Sequence, residues 1–245
     1  MAAVFSFANE TVPAPFSFAP SQLWSGNDGS WSSFIVRIGA PAQDFEVFPS
    51  TTGQETLIPV PEGCTSHDPS NCGKSRGVLP AFGVQGTGFV TNSSSTWDLV
   101  GIFTSNLEDT LGYAVNAEYG FETVGLQIEN SNGIGVNHSV VGGIAAKEFY
   151  LGSLGLGPKP TNFTTFLNEP KPSLMALLNS TRQIPSLSYG YSAGASYSKQ
   201  LASFQHSVLH NANLYKNTTP SFTQALIKGC RISADPRQSY TRWLR

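Results

Sequence analysis

Charge is what this chain has least of. Asp, Glu, Lys and Arg make up only 12% of its 245 residues, about half the share of an ordinary globular domain. Hydroxyl and amide side chains take their place, a surface that suits a glycosylated extracellular protein better than a cytosolic one. Long apolar runs are missing too. No window reaches the ~18 apolar residues of a membrane-spanning helix. The opening stretch MAAVFSFANETVPAP has neither the basic start nor the sustained apolar run of a secretory leader, so a leader upstream of this chain is expected.

Cysteine is scarce, with three in the chain. Cys64 and Cys72 bracket the polar loop TSHDPSN, and a short-range disulfide closing it is the expectation. The alternative is a metal site using His67, but a structural zinc site needs four ligands and none is spaced to help. Cys230 is left over, which flags a missing partner or an altered terminus.

Several chemistries lack their residues. His206 and His210 stand four apart, yet no Glu or third ligand joins them as zinc hydrolysis demands. The glycine-rich stretches GLGPKP and GIGVNHSVVGG lack the Gly-Lys-Ser of a phosphate loop. Gly190-Tyr191-Ser192-Ala193-Gly194 matches G-x-S-x-G, but no histidine follows Asp235 to complete a triad. No alternating strand–helix pattern precedes it either. Basic residues near the carboxyl end lack the interleaved aromatics of a nucleic-acid module. The expectation is therefore no metal, no cofactor, no nucleic-acid partner and no membrane span.

What is present is strand and turn. Hydrophobic residues make up 40% of the chain, with 24 Gly and 16 Pro, which implies a buried core, many turns and few long helices. Short apolar runs (SSFIVRIG, DFEVF, ETLIPV, VLPAFGV, GTGFV) are strand-length and show no helical period. GYAVNAEYGFETVGLQI reads as a hairpin with Asn116 in its turn. Val136–Ile144 reads as a strand pair, FYLGSLGLGPKPTNF as buried strand ending in a Gly-Pro loop, and Ile184–Tyr191 as strand. Ser173–Gln183 is the one helix, started by Pro172 and Ser173, with Leu174, Leu177 and Leu178 on one face. Six N-x-[ST] triplets, at Asn9, Asn92, Asn137, Asn162, Asn179 and Asn217, point to N-glycosylation on the secretory route. Composition changes near residue 195. Residues 1–195 carry seven basic and fifteen acidic residues, a balance of −8, whereas 196–245 carry seven basic and one acidic, a balance of +6.

The stretch Pro41–Pro59, PAQDFEVFPSTTGQETLIP, is the most informative. In outline it is a strand, a tight polar turn and a second apolar strand. It resembles the segment of pepsin-like aspartic peptidases that carries their first catalytic aspartate. Thr52-Gly53 matches the Thr-Gly of the family's Asp-Thr-Gly turn, and Leu57-Ile58-Pro59 matches its apolar exit strand. The aspartate itself is replaced by Thr51. Other segments fit the family in order. WSSFIVRIGAPAQDFEV resembles its opening strand pair, with Gly39 and Pro41 in the turn. Cys64 and Cys72 sit where the lobe keeps a small disulfide loop. YGFETVGL resembles the strand after the flap, and FYLGSLGLGPKP the segment that threads beneath the active site, with Tyr150 in place of its aspartate. The chain is most similar to fungal secreted or surface members with a degenerate active-site turn.

The resemblance implies an all-β, pepsin-like acid-protease barrel lobe with one short helix. It spans residues 15–195, between an amino-terminal segment (1–14) and a basic tail (196–245) foreign to the fold. The family works through two aspartates sharing a proton. Here Thr51 holds the first position and no second Asp-Thr-Gly or Asp-Ser-Gly follows. Tyr113 is the candidate flap tyrosine, with Tyr119 its competitor. The implied function is a secreted or cell-surface glycoprotein without peptidase activity, binding an extended peptide or a cell-wall component along its cleft-facing strands. The alternatives are an active aspartic endopeptidase, which would need a nearby carboxylate in place of Thr51 (Asp44, seven residues away, is a poor substitute) and a second lobe from another copy, and a truncated product. A lone lobe would also expose an apolar face through which it could form a homodimer.

Overall fold

The computed structural model describes residues 12–25, 30–81, 83–108, 113–127, 133–147, 150–163, 169–194 and 202–205. The described residues form an all-β protein with two short helices. The strands are β1 (Ser17–Phe18), β2 (Pro20–Ser25), β3 (Trp31–Ile38), β4 (Gln43–Ser50), β5 (Thr56–Pro59), β6 (Asp98–Glu108), β7 (Tyr113–Leu126), β8 (Ile134–Ile144), β9 (Gly152–Gly155), β10 (Gly190–Ser192) and β11 (Ser203–Gln205). The helices are α1 (Cys72–Ser75) and α2 (Leu174–Ser180).

Alternation builds the first hairpin. Phe34, Val36 and Ile38 of β3 are buried while Arg37 between them is exposed, the two-residue period of a strand with one face inward. β3 turns at Gly39–Ala42 into β4, and the two pair antiparallel from Phe34↔Val47 to Ile38↔Gln43. Gly39 sits in this turn at φ 87°, a left-handed conformation that glycine adopts without strain.

The larger sheet has eight strands in the order β2-β3-β4-β9-β5-β8-β7-β6, and β3 also pairs with β7. That extra pairing, Val36↔Leu126 to Ile38↔Val124, closes β3, β4, β9, β5, β8 and β7 into a ring. Closure removes the sheet edges within the ring and leaves β2 and β6 as flanks. β4 and β5 are consecutive in the chain yet do not pair. β9 runs between them, parallel to β4 and antiparallel to β5. β1, β11 and β10 form a separate three-stranded sheet. Ser203–Gln205 thus joins this sheet, although residues from 196 onward were expected to stand apart; residues 206–245 lie outside the described residues.

Two expected turns are strand instead. Asn116 lies inside β7, opposite Thr104 of β6, whose hydroxyl donates to its Oδ1 at 2.9 Å. Val115, Ala117 and Tyr119 are buried while Asn116 is exposed, so the period of two overrides the turn preference of a lone Asn. Val136–Ile144, expected as a strand pair, is part of the single strand β8. A bulge there accounts for the misreading. Glu122↔Ser139 and Val124↔Val136 leave Thr123 facing both Asn137 and His138, and His138 takes a left-handed φ of 59°. The bulge changes which face is inward. On β8, Val136 lines one core cluster and Val140, on the far side of the bulge, lines the other. The expected strands VLPAFGV and GTGFV are mostly turns with isolated bridges at Val78, Ala81 and Val84, and of Ile184–Tyr191 only the end is strand.

The helix expected at Ser173–Gln183 spans Leu174–Ser180. Ser173 caps it, its Oγ accepting from Ala176 N at 3.3 Å, and Leu174, Met175 and Leu178 are buried. Arg182, at φ 57°, ends it with a left-handed residue.

Candidate functional site

β4 and β5 are joined by the turn Thr51–Glu55, directly over β9. The turn holds its shape through backbone contacts and the Ser50 hydroxyl. Gly53 N donates to Ser50 Oγ at 2.9 Å. From the β9 side, Leu156 N donates to Ser50 O and Gly157 N to Gly53 O, both at 2.8 Å. The approach is too close for side chains: a Cβ on Gly155 would lie 2.5 Å from Glu55 O, and one on Gly157 2.7 Å from Gly53 O. Gly155 and Gly157 of the stretch LGLG are therefore required by the crossing itself.

Thr51 and Thr52 are exposed and Gly53 is buried. The hydroxyls of Ser50 and Thr52 lie 3.4 Å apart. A row of hydroxyls can donate and accept hydrogen bonds, but none ionises near neutral pH to activate a water. Asp44 does not replace the missing acid. It lies at the other end of β4 and pairs with Arg37 through Oδ1 to Nε at 2.9 Å and Oδ2 to Nη2 at 3.2 Å.

One carboxylate does belong to the turn. Glu55 is its last residue, half-buried. Burial pushes its carboxyl above the ordinary value of 4.5, with the neighbouring Thr161 hydroxyl acting in the opposite sense. Glu55 also lies near Tyr119 on β7. Burial first, and then the Glu55 charge, push the Tyr119 phenol up, against a hydrogen bond to Ser105. Tyr119 forms an aromatic cluster with Phe103 and Phe163, with ring centroids 6.3 Å and 5.3 Å away and Phe103–Phe163 at 4.9 Å. The sequence reading passed over Glu55; its signal was a lone acid two residues beyond Gly53 in a turn otherwise made of hydroxyls and amide.

The other named residues are dispersed. Tyr113 opens β7 opposite Glu108. Tyr150 is exposed, and its carbonyl accepts from Arg76 Nε at 3.5 Å. Cys64 and Cys72 form a disulfide with Cα atoms 5.8 Å apart, which removes the metal-site alternative for that pair. The disulfide loop is pinned to the end of β8. Arg76, fully buried, donates to the carbonyls of Ile144 (3.1 Å), Ala145 (3.3 Å) and Ala146 (2.9 Å). Asp68 pairs with Lys147 at 2.5 Å. Among the sequons, Asn92, Asn137 and Asn162 are exposed, and Asn179 is half-buried on α2; Asn9 and Asn217 lie outside the described residues. Asn137 stands in the β8 bulge, its Oδ1 accepting from Thr123 Oγ1 at 3.2 Å.

A groove of about 620 Å³ lies elsewhere, between β3, β7 and the start of β8, lined by Arg37, Thr123, Gly125, Gln127 and Ile134 among others. It shares no residue with the turn. Among the described residues no group of three His, Cys, Asp or Glu could hold a metal ion, and no helix is long and apolar enough to cross a membrane. No protein-family model and no curated protein matches the chain.

Proposed function

We propose that this chain is a peptidase-like binding lobe, related to the pepsin-like aspartic peptidases, that holds an extended peptide across the Thr51 turn without cleaving it. The observation that carries this reading is the crossing of β9 between β4 and β5 beneath an exposed turn whose acid position is Thr51. The backbone frame of a carboxylate site is kept while its acid is absent. The β6–β7 hairpin, the long antiparallel pair next to β8, supplies a second wall. An extended ligand between hairpin and turn would be held by backbone hydrogen bonds, with side chains alternating between the walls. The Cys64–Cys72 disulfide and the exposed sequons fit a secreted or cell-surface glycoprotein.

The test is paired. The purified chain should bind a fluorescein-labelled apolar pentapeptide and leave it uncut at acid pH, since losing a general base costs about 10²–10⁴-fold or more in rate. Pepstatin-sensitive cleavage would overturn the reading. Thr51→Asp alone is expected to restore nothing, because the family's chemistry needs two carboxylates.

A further inference from the structure

The groove between β3, β7 and β8 is one outward face of three paired strands. Arg37 on β3 stands opposite Gly125 on β7, and Gly125 opposite Gly135 on β8. Residues opposed across a ladder share a face of the sheet, so the two glycines lie side by side and leave a floor of bare backbone. Arg37 borders that floor, its guanidinium held by Asp44. Two residues along each strand, on the same face, stand Thr123 and Asn137. Thr123 lines the groove, and its hydroxyl donates to Asn137 Oδ1 at 3.2 Å. The fold does not demand the glycine at 135. Its φ is not left-handed, and a Cβ there would meet only Val124 O at 3.5 Å and Gly125 Cα at 3.9 Å, ordinary contacts. Glycine weakens a strand, and one that packing does not require marks a place where something else comes close to the backbone. Asn137 is exposed and opens the triplet Asn-His-Ser. Its bond to Thr123 takes up Oδ1 and leaves open, among the described residues, Nδ2, the atom to which N-glycosylation attaches its sugar.

We propose that this groove seats the first N-acetylglucosamine units of a glycan carried by Asn137. The inference rests on the reading of the chain as a secreted or cell-surface glycoprotein and says what one of its glycans does. The groove, at about 620 Å³, lies within the ~300–1,000 Å³ of small-molecule sites. A pyranose ring offers a flat C–H face and a rim of hydroxyls, and N-acetylglucosamine adds an amide and a methyl. The Gly125–Gly135 floor lets the ring face approach the backbone, and Arg37 and Gln127, both lining the groove, supply donors and an acceptor for its rim. Attachment at Asn137 makes the contact intramolecular, so individually weak interactions are enough to hold the sugar down.

The experiment uses the whole chain, secreted from a eukaryotic host with ¹³C-labelled glycans, with the occupancy of each sequon read by mass spectrometry. Nuclear Overhauser contacts should run from the acetyl methyl of the Asn137-linked sugar to the α protons of Gly125 and Gly135. Gly135→Val puts a branched side chain on the floor and should abolish them. It should also speed removal of the Asn137 glycan by an endoglycosidase about tenfold, the factor for a sugar seated roughly nine-tenths of the time. An occupied Asn137 whose sugar contacts neither glycine would overturn the inference, as would trimming left unchanged by a folded Gly135→Val chain. So would an unoccupied Asn137 on a chain that carries sugar at other sequons. Each of these results leaves the glycoprotein reading standing, whereas a secreted chain with no sugar at any sequon would remove both. The contacts are read on the unaltered chain, so a Gly135→Val chain that failed to fold would not obscure them.

Discussion

The loop before β5 and the loop after it are built from opposite materials. Before it, Thr51 and Thr52 present hydroxyls to solvent, and the turn is held by amides of β9 and by Ser50. After it, the Cys64–Cys72 disulfide, the buried Arg76 and the Asp68–Lys147 pair clamp the chain to the end of β8. Geometry on one side is set mainly by backbone and glycine with one hydroxyl, on the other by charged side chains and a disulfide. A turn held by its backbone can exchange the side chain at Thr51 and keep its shape. The disulfide loop cannot exchange Arg76 in the same way, because the guanidinium itself is the structure there.

The largest effect is therefore expected at Arg76. Arg76→Met keeps most of the volume and removes the donors, leaving the carbonyls of Ile144, Ala145 and Ala146 without their partners. A hydrogen bond to a charged group is worth about 1.5–3 kcal/mol. Some of that loss is offset because a desolvated charge is no longer buried. The net expectation is about 3 kcal/mol of lost stability, read from urea unfolding. A loss below about 1 kcal/mol would mean that the clamp is decorative and the contrast between the loops is false.

The disulfide comes next. Its cysteines are eight residues apart, and closing a loop that short stabilises by ~2.5 kcal/mol on the chain-entropy model. Replacing both cysteines with alanine should lower the unfolding midpoint accordingly. The same change combined with Arg76→Met should fall short of the sum, since the two act on one loop. Strict additivity would show that disulfide and arginine hold separate pieces of structure.

Local patterns revealed part of this in the sequence. The strand-length apolar runs SSFIVRIG and DFEVF marked β3 and β4, Pro172-Ser173 marked the start of α2, and Cys64 and Cys72 bracketing a short polar loop marked the disulfide. The turn Thr51–Gly53 was visible as a turn. Long-range facts were not. Nothing local announces that β9 enters between β4 and β5, or that β3 meets β7 to close the ring, because such pairings depend on residues far apart in the chain. Asn116 misled because a turn-former can sit on the outer face of a strand, and β8 misled because its bulge at His138 breaks the alternation. Arg76 and Glu55 were passed over for one reason: a lone charge in a polar loop reads as exposed, and their burial comes from distant segments, β8 for Arg76 and Thr161 and Tyr119 for Glu55.

The smallest effect, and the sharpest check on the comparison, is expected at Thr51. Its side chain is exposed and takes part in none of the bonds that hold the turn, which run instead through Ser50 Oγ, Ser50 O, Gly53 N and Gly53 O. Thr51→Ala should change stability by no more than about 0.5 kcal/mol, the range of an ordinary surface substitution. Gly155→Ala, on the β9 side of the same crossing, should do far more, since its new methyl would meet Glu55 O at 2.5 Å. Overpacking of that kind costs about 1–3 kcal/mol. The pair separates two views of the turn by thermal melts alone. If Thr51→Ala proved as damaging as Gly155→Ala, the threonine would be a structural replacement for an acid rather than a vacated position, and the turn would owe its shape to side chains after all.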